Sequence, residues 1–171
     1  MKKLSVSILL SLIFMATLLY PVYAAGPFWR VLDTAGNGTG TTNATGNYTT
    51  TTPFLLVPAS NLILTRLIVT IEDSDVITYN LYGATTITNG VIIRKRSGST
   101  LVTMTQAITN NFAWGQYCTV TKTTGQAVNQ LQAVCELDNL ALLPSDRLEV
   151  LLNDDFSGLD AQRFIVEGYT P

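Results

Sequence analysis

The acidic residues are the first place to look for chemistry, because the chain contains no histidine at all. That absence excludes serine-histidine-acid triads, cysteine-histidine dyads and imidazole-bound zinc. Two acidic groups remain, Glu72, Asp73 and Asp75 after one apolar run, and Asp154, Asp155 and Asp160 after another. Hard cations take several oxygen ligands, so calcium is the one metal these loops could serve, with Asp73, Asp75, Asp154 and Asp155 as candidate ligands. Neither run has the spacing of an EF-hand calcium loop, and acids in surface turns are the plainer reading. Glycoside hydrolysis would need two carboxyls about 5 to 9 Å apart in a cleft, one with a raised pKa. Any two of these acids could be nominated, so the pattern names no pair. The expectation is a protein without catalytic residues and without a cofactor.

Aromatic side chains offer a second kind of chemistry. Tyr79, Tyr82, Phe112, Trp114 and Tyr117 lie close in sequence, and exposed rings stack on sugars. Tyr79, Tyr82 and Trp114 are therefore candidate glycan contacts. The competing fate for rings of this size is burial in the core.

Only two cysteines are present, Cys118 and Cys135. If they face each other across a hairpin, the same register pairs Val120 with Ala133 and Lys122 with Leu131. Residues 124–129, TGQAVN, then fall at the turn, where glycine and asparagine belong. In an exported chain this spacing predicts a disulfide.

These residues must be held by strands. Leu148, Val150 and Leu152 alternate with Arg147, Glu149 and Leu151, and Phe164 and Val166 alternate with Arg163, Ile165 and Glu167, the period of half-buried strands. With the polar corner 153–158 between them, the pair reads as the closing hairpin of an antiparallel sandwich. The longest strand is expected over 61–72, with Ile63, Leu67, Val69 and Ile71 on one face. Residues 90–96 and 101–104 flank Ser97-Gly98-Ser99 as another hairpin, Asn89-Gly90 is a hairpin-turn signal, and 140–145 is too short for a helix. No segment sustains a helical period. The fold expected is all-β, a single antiparallel sandwich of jelly-roll type with eight or nine strands.

The N-terminal part is organised differently. Met1-Lys2-Lys3, an apolar run to Tyr20 and Pro21-Val22-Tyr23-Ala24 form a secretory signal peptide over 1–24, with an uncleaved anchor as the alternative. Residues 25–32 form a short strand carrying Phe28, Trp29, Val31 and Leu32, and 33–52 is a Thr-, Gly- and Asn-rich linker or long surface loop with nothing to pack. Asn37, Asn43 and Asn47 in that linker are candidate N-glycosylation acceptors. A flexible tether of this length covers roughly 25 Å, so the strand can fold back on its own sheet or pair with a neighbour's. Residues 53–171 form the sandwich domain. Only 13% of residues are charged and the net charge is -2, which argues against nucleic acid as a partner.

The segments 64–73 (LTRLIVTIED), 87–91 (ITNGV) and 146–159 (DRLEVLLNDDFSGL), with 164–169, resemble small β-sandwich virion structural proteins of tailed phages. The resemblance spans the body after Pro53 and rests on strand and turn pattern. It implies a particle-surface or tail-associated protein with no catalytic residues to transfer. With the leader, the expected function is a secreted structural or assembly subunit of a filament, an envelope layer or a virion-type particle. Its partners would be copies of itself or other surface proteins. A carbohydrate-binding or adhesion module is the alternative, and a glycosidase-like enzyme a weaker one.

Overall fold

In the computed structural model, residues 26–38, 43–124 and 129–171 are described; the expected signal peptide lies outside them. The chain is a two-layer sandwich of antiparallel strands. They are β1 (Pro27–Val31), β2 (Thr52–Leu56), β3 (Leu62–Asp73), β4 (Val91–Ser97), β5 (Thr100–Thr103), β6 (Thr119–Thr124), β7 (Asn129–Leu142), β8 (Asp146–Leu152) and β9 (Ala161–Tyr169). One sheet has the order β1-β9-β3-β7-β6 and the other β2-β8-β4-β5. Without β6, which forms a hairpin with β7, this is the jelly-roll arrangement expected from the sequence. A single helical turn, α1 (Asn111–Trp114), sits between β5 and β6. Among the described residues, no helix is long and apolar enough to cross a membrane.

The core strands form because each supplies one apolar face; β5, exposed throughout, is held by its hairpin with β4. Leu67, Val69 and Ile71 of β3, Leu131 and Ala133 of β7, and Phe164 and Val166 of β9 meet Leu148, Val150 and Leu152 of β8 and Val91 and Ile93 of β4 in one core. Alternation along β3 is broken once. Its register with both neighbours slips between Leu64 and Arg66, so that Leu64 rather than Ile63 enters the core. The interruption is a β-bulge, whose extra residue flips the side-chain parity. Opposite it, Asp138 and Asn139 of β7 both adopt positive φ, 48° and 58°, which their short polar side chains tolerate better than most.

Three other expectations are corrected. First, β8 and β9 do not form a hairpin: β8 pairs with β2 and β4, and β9 with β1 and β3. Their apolar faces meet across the core instead, and the corner 153–160 is long enough to span the roughly 10 Å between sheets. Second, Asn89-Gly90 does not turn a hairpin. Gly90 has φ 74°, but the N–H groups of Thr88, Asn89 and Gly90 all point at the Asp154 carboxylate, at 3.1, 2.7 and 2.6 Å. A carboxylate on the next loop has replaced the strand partner. Third, residues 140–142, too short for a helix, are not a separate element but the end of β7.

The run 33–52 is also not a bare tether. Asp33 O and Gly36 O accept from Leu55 N and Val57 N at 2.8 and 2.9 Å, Ala44 N donates to Gln162 O at 2.8 Å, and Tyr48 packs edge-on against Phe54. The small residues that resemble a linker in composition are what let the backbone lie against the sheets. Gly36 has φ +83°, and a Cβ there would fall 2.2 Å from Leu55 Cδ1.

The hairpin around the cysteines has the expected register, Val120 opposite Ala133 and Lys122 opposite Leu131, and Cys118 and Cys135 are joined as a disulfide. The bond closes a loop with a sequence separation of 17. Replacing both cysteines by alanine should lower unfolding free energy by about 3 kcal/mol, read as a lower urea midpoint. An unchanged midpoint would mean the bridge constrains nothing that the β6–β7 ladder does not already fix.

Candidate functional site

The jelly-roll order sorts the connections by length. Three short turns, 57–61, 98–99 and 143–145, lie at one end of the sandwich, where Gly26 O also accepts from Thr170 N at 3.2 Å. The long loops 74–90, 104–118 and 153–160 lie at the other end, beyond Asp73 and Ala161. The twelve residues of β3 separate the two ends by on the order of 35 Å.

At the long-loop end, side chains hold backbone where no ladder does. Asn111 is buried and makes three hydrogen bonds across loops: its amide donates to Thr78 O at 2.5 Å and Gly83 O at 3.0 Å, and its carbonyl accepts from Gly83 N at 3.0 Å. Its own N–H donates to Leu81 O at 2.8 Å. Asn110 caps the helical turn by accepting from Ala113 N at 2.8 Å. The loop 74–84 is thereby wrapped around α1. Lys122 donates to Ile77 O, and Asp73 accepts from Asp75 N and Ala84 N at 2.9 and 3.0 Å.

Beneath this frame lies an aromatic floor. Tyr82 and Trp114 are fully buried, with ring centroids 6.3 Å apart, and Tyr82 stands edge-on to Phe156 at 5.4 Å. Burial pushes the Tyr82 phenol well above its ordinary range, and neither its hydroxyl nor the Trp114 indole N–H has a hydrogen-bond partner among the described residues. Tyr82 and Trp114 are thus removed from any glycan contact: their area is needed in the core. Tyr79 is as expected on the surface, 60% exposed, and Phe112, on the solvent side of α1, is 66% exposed. The two are linked through backbone, Phe112 N donating to Tyr79 O at 3.1 Å, and Val76 is exposed on the same loop. A solvent-facing apolar tip therefore rests on a stiff frame. A four-residue helical turn is too short to have a readable period, so the outward turn of Phe112 is not legible locally.

Three of the candidate calcium ligands are engaged otherwise. Asp73 holds the 73–84 loop, Asp154 holds 88–90, and Asp155 accepts from the N–H and hydroxyl of Ser157 and from Asn47 Nδ2 at 3.3 Å. The Ser157 donors hold the Asp155 carboxyl below its ordinary range. Among the described residues no three His, Cys, Asp or Glu side chains come together as a metal site. Asp154 and Asp155 share a shallow hollow of about 280 Å³ with Asn47, Asn89 and Asn153. Asn37, Asn43 and Asn47 are all exposed; Asn43 Nδ2 donates to Asp160 O at 3.1 Å.

Two further features lie away from the tip. On the outer face of the four-stranded sheet, the buried Glu149 bridges Arg94 and Arg96, with Nε···O distances of 2.5 and 2.9 Å. Burial raises its pKa, but the two guanidiniums outweigh that and hold it below the ordinary value. Asp146 is lowered from 3.8 to about 2 by the Ser97 hydroxyl, the Leu143 N–H and Lys95. Lys95 also donates to Ala141 O at 2.6 Å, tying the two sheets together. On the five-stranded sheet, the half-exposed Trp29 overhangs a hollow of about 490 Å³ with Thr65, Arg66 and Glu167, beside the β3 bulge.

A scan against protein-family models, a search of curated proteins and a search of solved structures each return no match to this chain.

Two outcomes follow from this geometry. Asn111→Ala should cost about 3 kcal/mol, because it strands the Gly83 N–H and two carbonyls; amide exchange should accelerate selectively across 78–84, and protection unchanged there would discount the frame. Asp146 and Glu149 both have lowered folded-state pKa values. Their contribution is therefore complete above the unfolded-state pKa values, and is lost as the pH falls through the folded ones, towards about 2 for Asp146. Urea midpoints measured from pH 6 to pH 2 should fall less steeply in Asp146→Asn than in the parent; parallel curves would contradict the assignment.

Proposed function

We propose that the protein is a non-enzymatic structural subunit of the cell surface or of a virion-type particle, held at its short-turn end and making contact through its long-loop end. The observation that carries this reading is the exposed pair Tyr79 and Phe112 on a frame locked by Asn111. Aromatic side chains gain most from burial against a partner, and a stiff frame lowers the ordering cost of binding. Gly26 lies at the opposite end, so an uncleaved anchor before it would direct the tip outward. The acids favour the non-enzymatic reading. Asp154 already accepts three N–H groups, and the Asp155 carboxyl is lowered, whereas a glycosidase acid needs a raised one. The likeness to tailed-phage virion proteins fits the same role.

A carbohydrate-binding role is the second reading, favoured by two separate exposed aromatic surfaces, Tyr79 with Phe112 and Trp29 beside Arg66 and Glu167. Both readings place attachment at exposed rings. Tyr79→Ser combined with Phe112→Ser should change stability by less than about 1 kcal/mol, since both side chains are solvated, yet abolish co-sedimentation of the mature chain with the source cells or particles. Retained co-sedimentation would move the contact surface elsewhere, and loss only in Trp29→Ala would move it to the five-stranded sheet.

A further inference from the structure

The N-terminal arm, residues 26–38, is built differently from the rest of the chain. It lies along the side of the sandwich and bonds to the edge strands of both sheets. β1 runs antiparallel to β9 from Pro27 opposite Tyr169 to Val31 opposite Ile165, and Leu32 N continues the ladder to Phe164 O at 2.8 Å. The chain then changes sheets, and Asp33 O and Gly36 O accept from Leu55 N and Val57 N beside β2. Val31 and Leu32 are buried in between, while Pro27, Trp29 and Arg30 face solvent. The arm is therefore the wall that closes one side of the core.

We infer that this arm is exchangeable, and that the partner receiving it is a second copy of the same chain. The inference rests on the assembly reading and names its mechanism. The seam itself identifies the occupant. It offers the unpaired edge of β9, a pocket for Leu32, and a contact at Gly36 so close that a Cβ would come 2.2 Å from Leu55 Cδ1. A segment filling it must present strand-forming residues, then a buried leucine, then a glycine at positive φ, which residues 27–36 of this chain do. The arm's contacts are overwhelmingly with the body; within itself it has the Asp33–Gly36 turn, the Arg30–Trp29 hydrogen bond and the packing of Gly38 on Arg30. A copy delivered by a neighbour would recover the same contacts, which is why swapping identical elements has a low energetic cost.

The covalent link limits where that neighbour can be. Only residues 39–42 join Gly38 to Asn43, and five Cα steps reach at most about 18 Å. Exchange therefore needs copies packed side by side, as in a layer or filament. In dilute solution the chain's own seam wins through its higher effective concentration. Passing the arm in one direction from copy to copy gives a ring or an open filament, and reciprocal passing gives a closed dimer.

Trp29 and Glu167 are direct cross-strand partners, so they report the exchange. Full-length mature protein carrying Trp29→Cys is mixed with protein carrying Glu167→Cys, concentrated, oxidised mildly and run on a non-reducing gel, with light scattering in parallel. A Trp29→Cys plus Arg163→Cys mixture, out of register on the same face, is the control for collisional cross-linking. A double variant carrying Trp29→Cys and Glu167→Cys in one chain tests the seat itself. Exchange predicts that the double variant closes within one chain when dilute, and that the in-register mixture cross-links several-fold above the control, increasingly with concentration. Cross-linking no higher than the control at every concentration overturns the inference. If light scattering still shows oligomers in that case, the assembly reading stands without it; monomers throughout remove both. A double variant that does not close would overturn the inference at its first step.

Discussion

The structure depends on apolar faces that the core strands can bury only against the opposite sheet. Leu148, Val150 and Leu152 of β8 need Leu67, Val69, Phe164 and Val166 of β3 and β9, and neither layer holds without the other. Chain connectivity reinforces this. Only β4–β5 and β6–β7 join neighbours within one sheet; every other connection carries the chain across the core. Separating the sheets would therefore undo most connections as well as the packing. The polar ties on the periphery add to the same constraint, as with Lys95, which pairs with Asp146 of one sheet and reaches the Ala141 carbonyl of the other.

Such lacing also separates structure from contact. Connections at the short-turn end are brief and have little side-chain area to offer a partner. Those at the long-loop end have no ladder to hold them, and the molecule answers with carboxylates and amides. Asp154 and Asn111 gather the N–H or carbonyl groups of a loop remote in sequence, and Asp73 those of the loop that follows it. The cost of leaving buried backbone groups unpaired explains why these side chains are where they are. It also accounts for three of the acids that first suggested chemistry: the carboxylates of Asp73, Asp154 and Asp155 accept from the chain's own backbone.

Much of the fold was legible in the sequence because period-two alternation is a direct imprint of burial on one face. The β6–β7 register was readable from two cysteines and the turn residues between them. What was not legible involved partners distant in sequence. The inward parity of β3 depended on a bulge opposite Asp138 and Asn139, and nothing local to Ile63 or Leu64 announces it. The pairing of β8 and β9 was misjudged because a polar corner serves equally for a hairpin and for a crossing between sheets. At the candidate site, core packing, the fate weighed for Trp114, is what the structure shows for Trp114 and for Tyr82 as well, while Tyr79 is exposed; exposure there is decided by the Asn111 frame and the Phe156 floor. In the run 33–52, composition left a linker and a long surface loop undecided, because glycine provides close packing as readily as freedom.

The arm follows from the same physics that shapes the core. A jelly roll whose β9 edge were uncovered would leave a row of N–H and C=O groups beside apolar side chains, the arrangement most prone to unwanted pairing. The chain covers that edge with its own first strand, whose outward residues are among the least buried of any strand and whose inward anchors are Val31 and Leu32. An edge cover must therefore be held by a few deep contacts and a ladder, with little lateral packing around Trp29. That combination makes the arm specific for this seam without making it inseparable from it. Self-protection and self-assembly then differ only in whose arm occupies the groove, and local concentration decides between them.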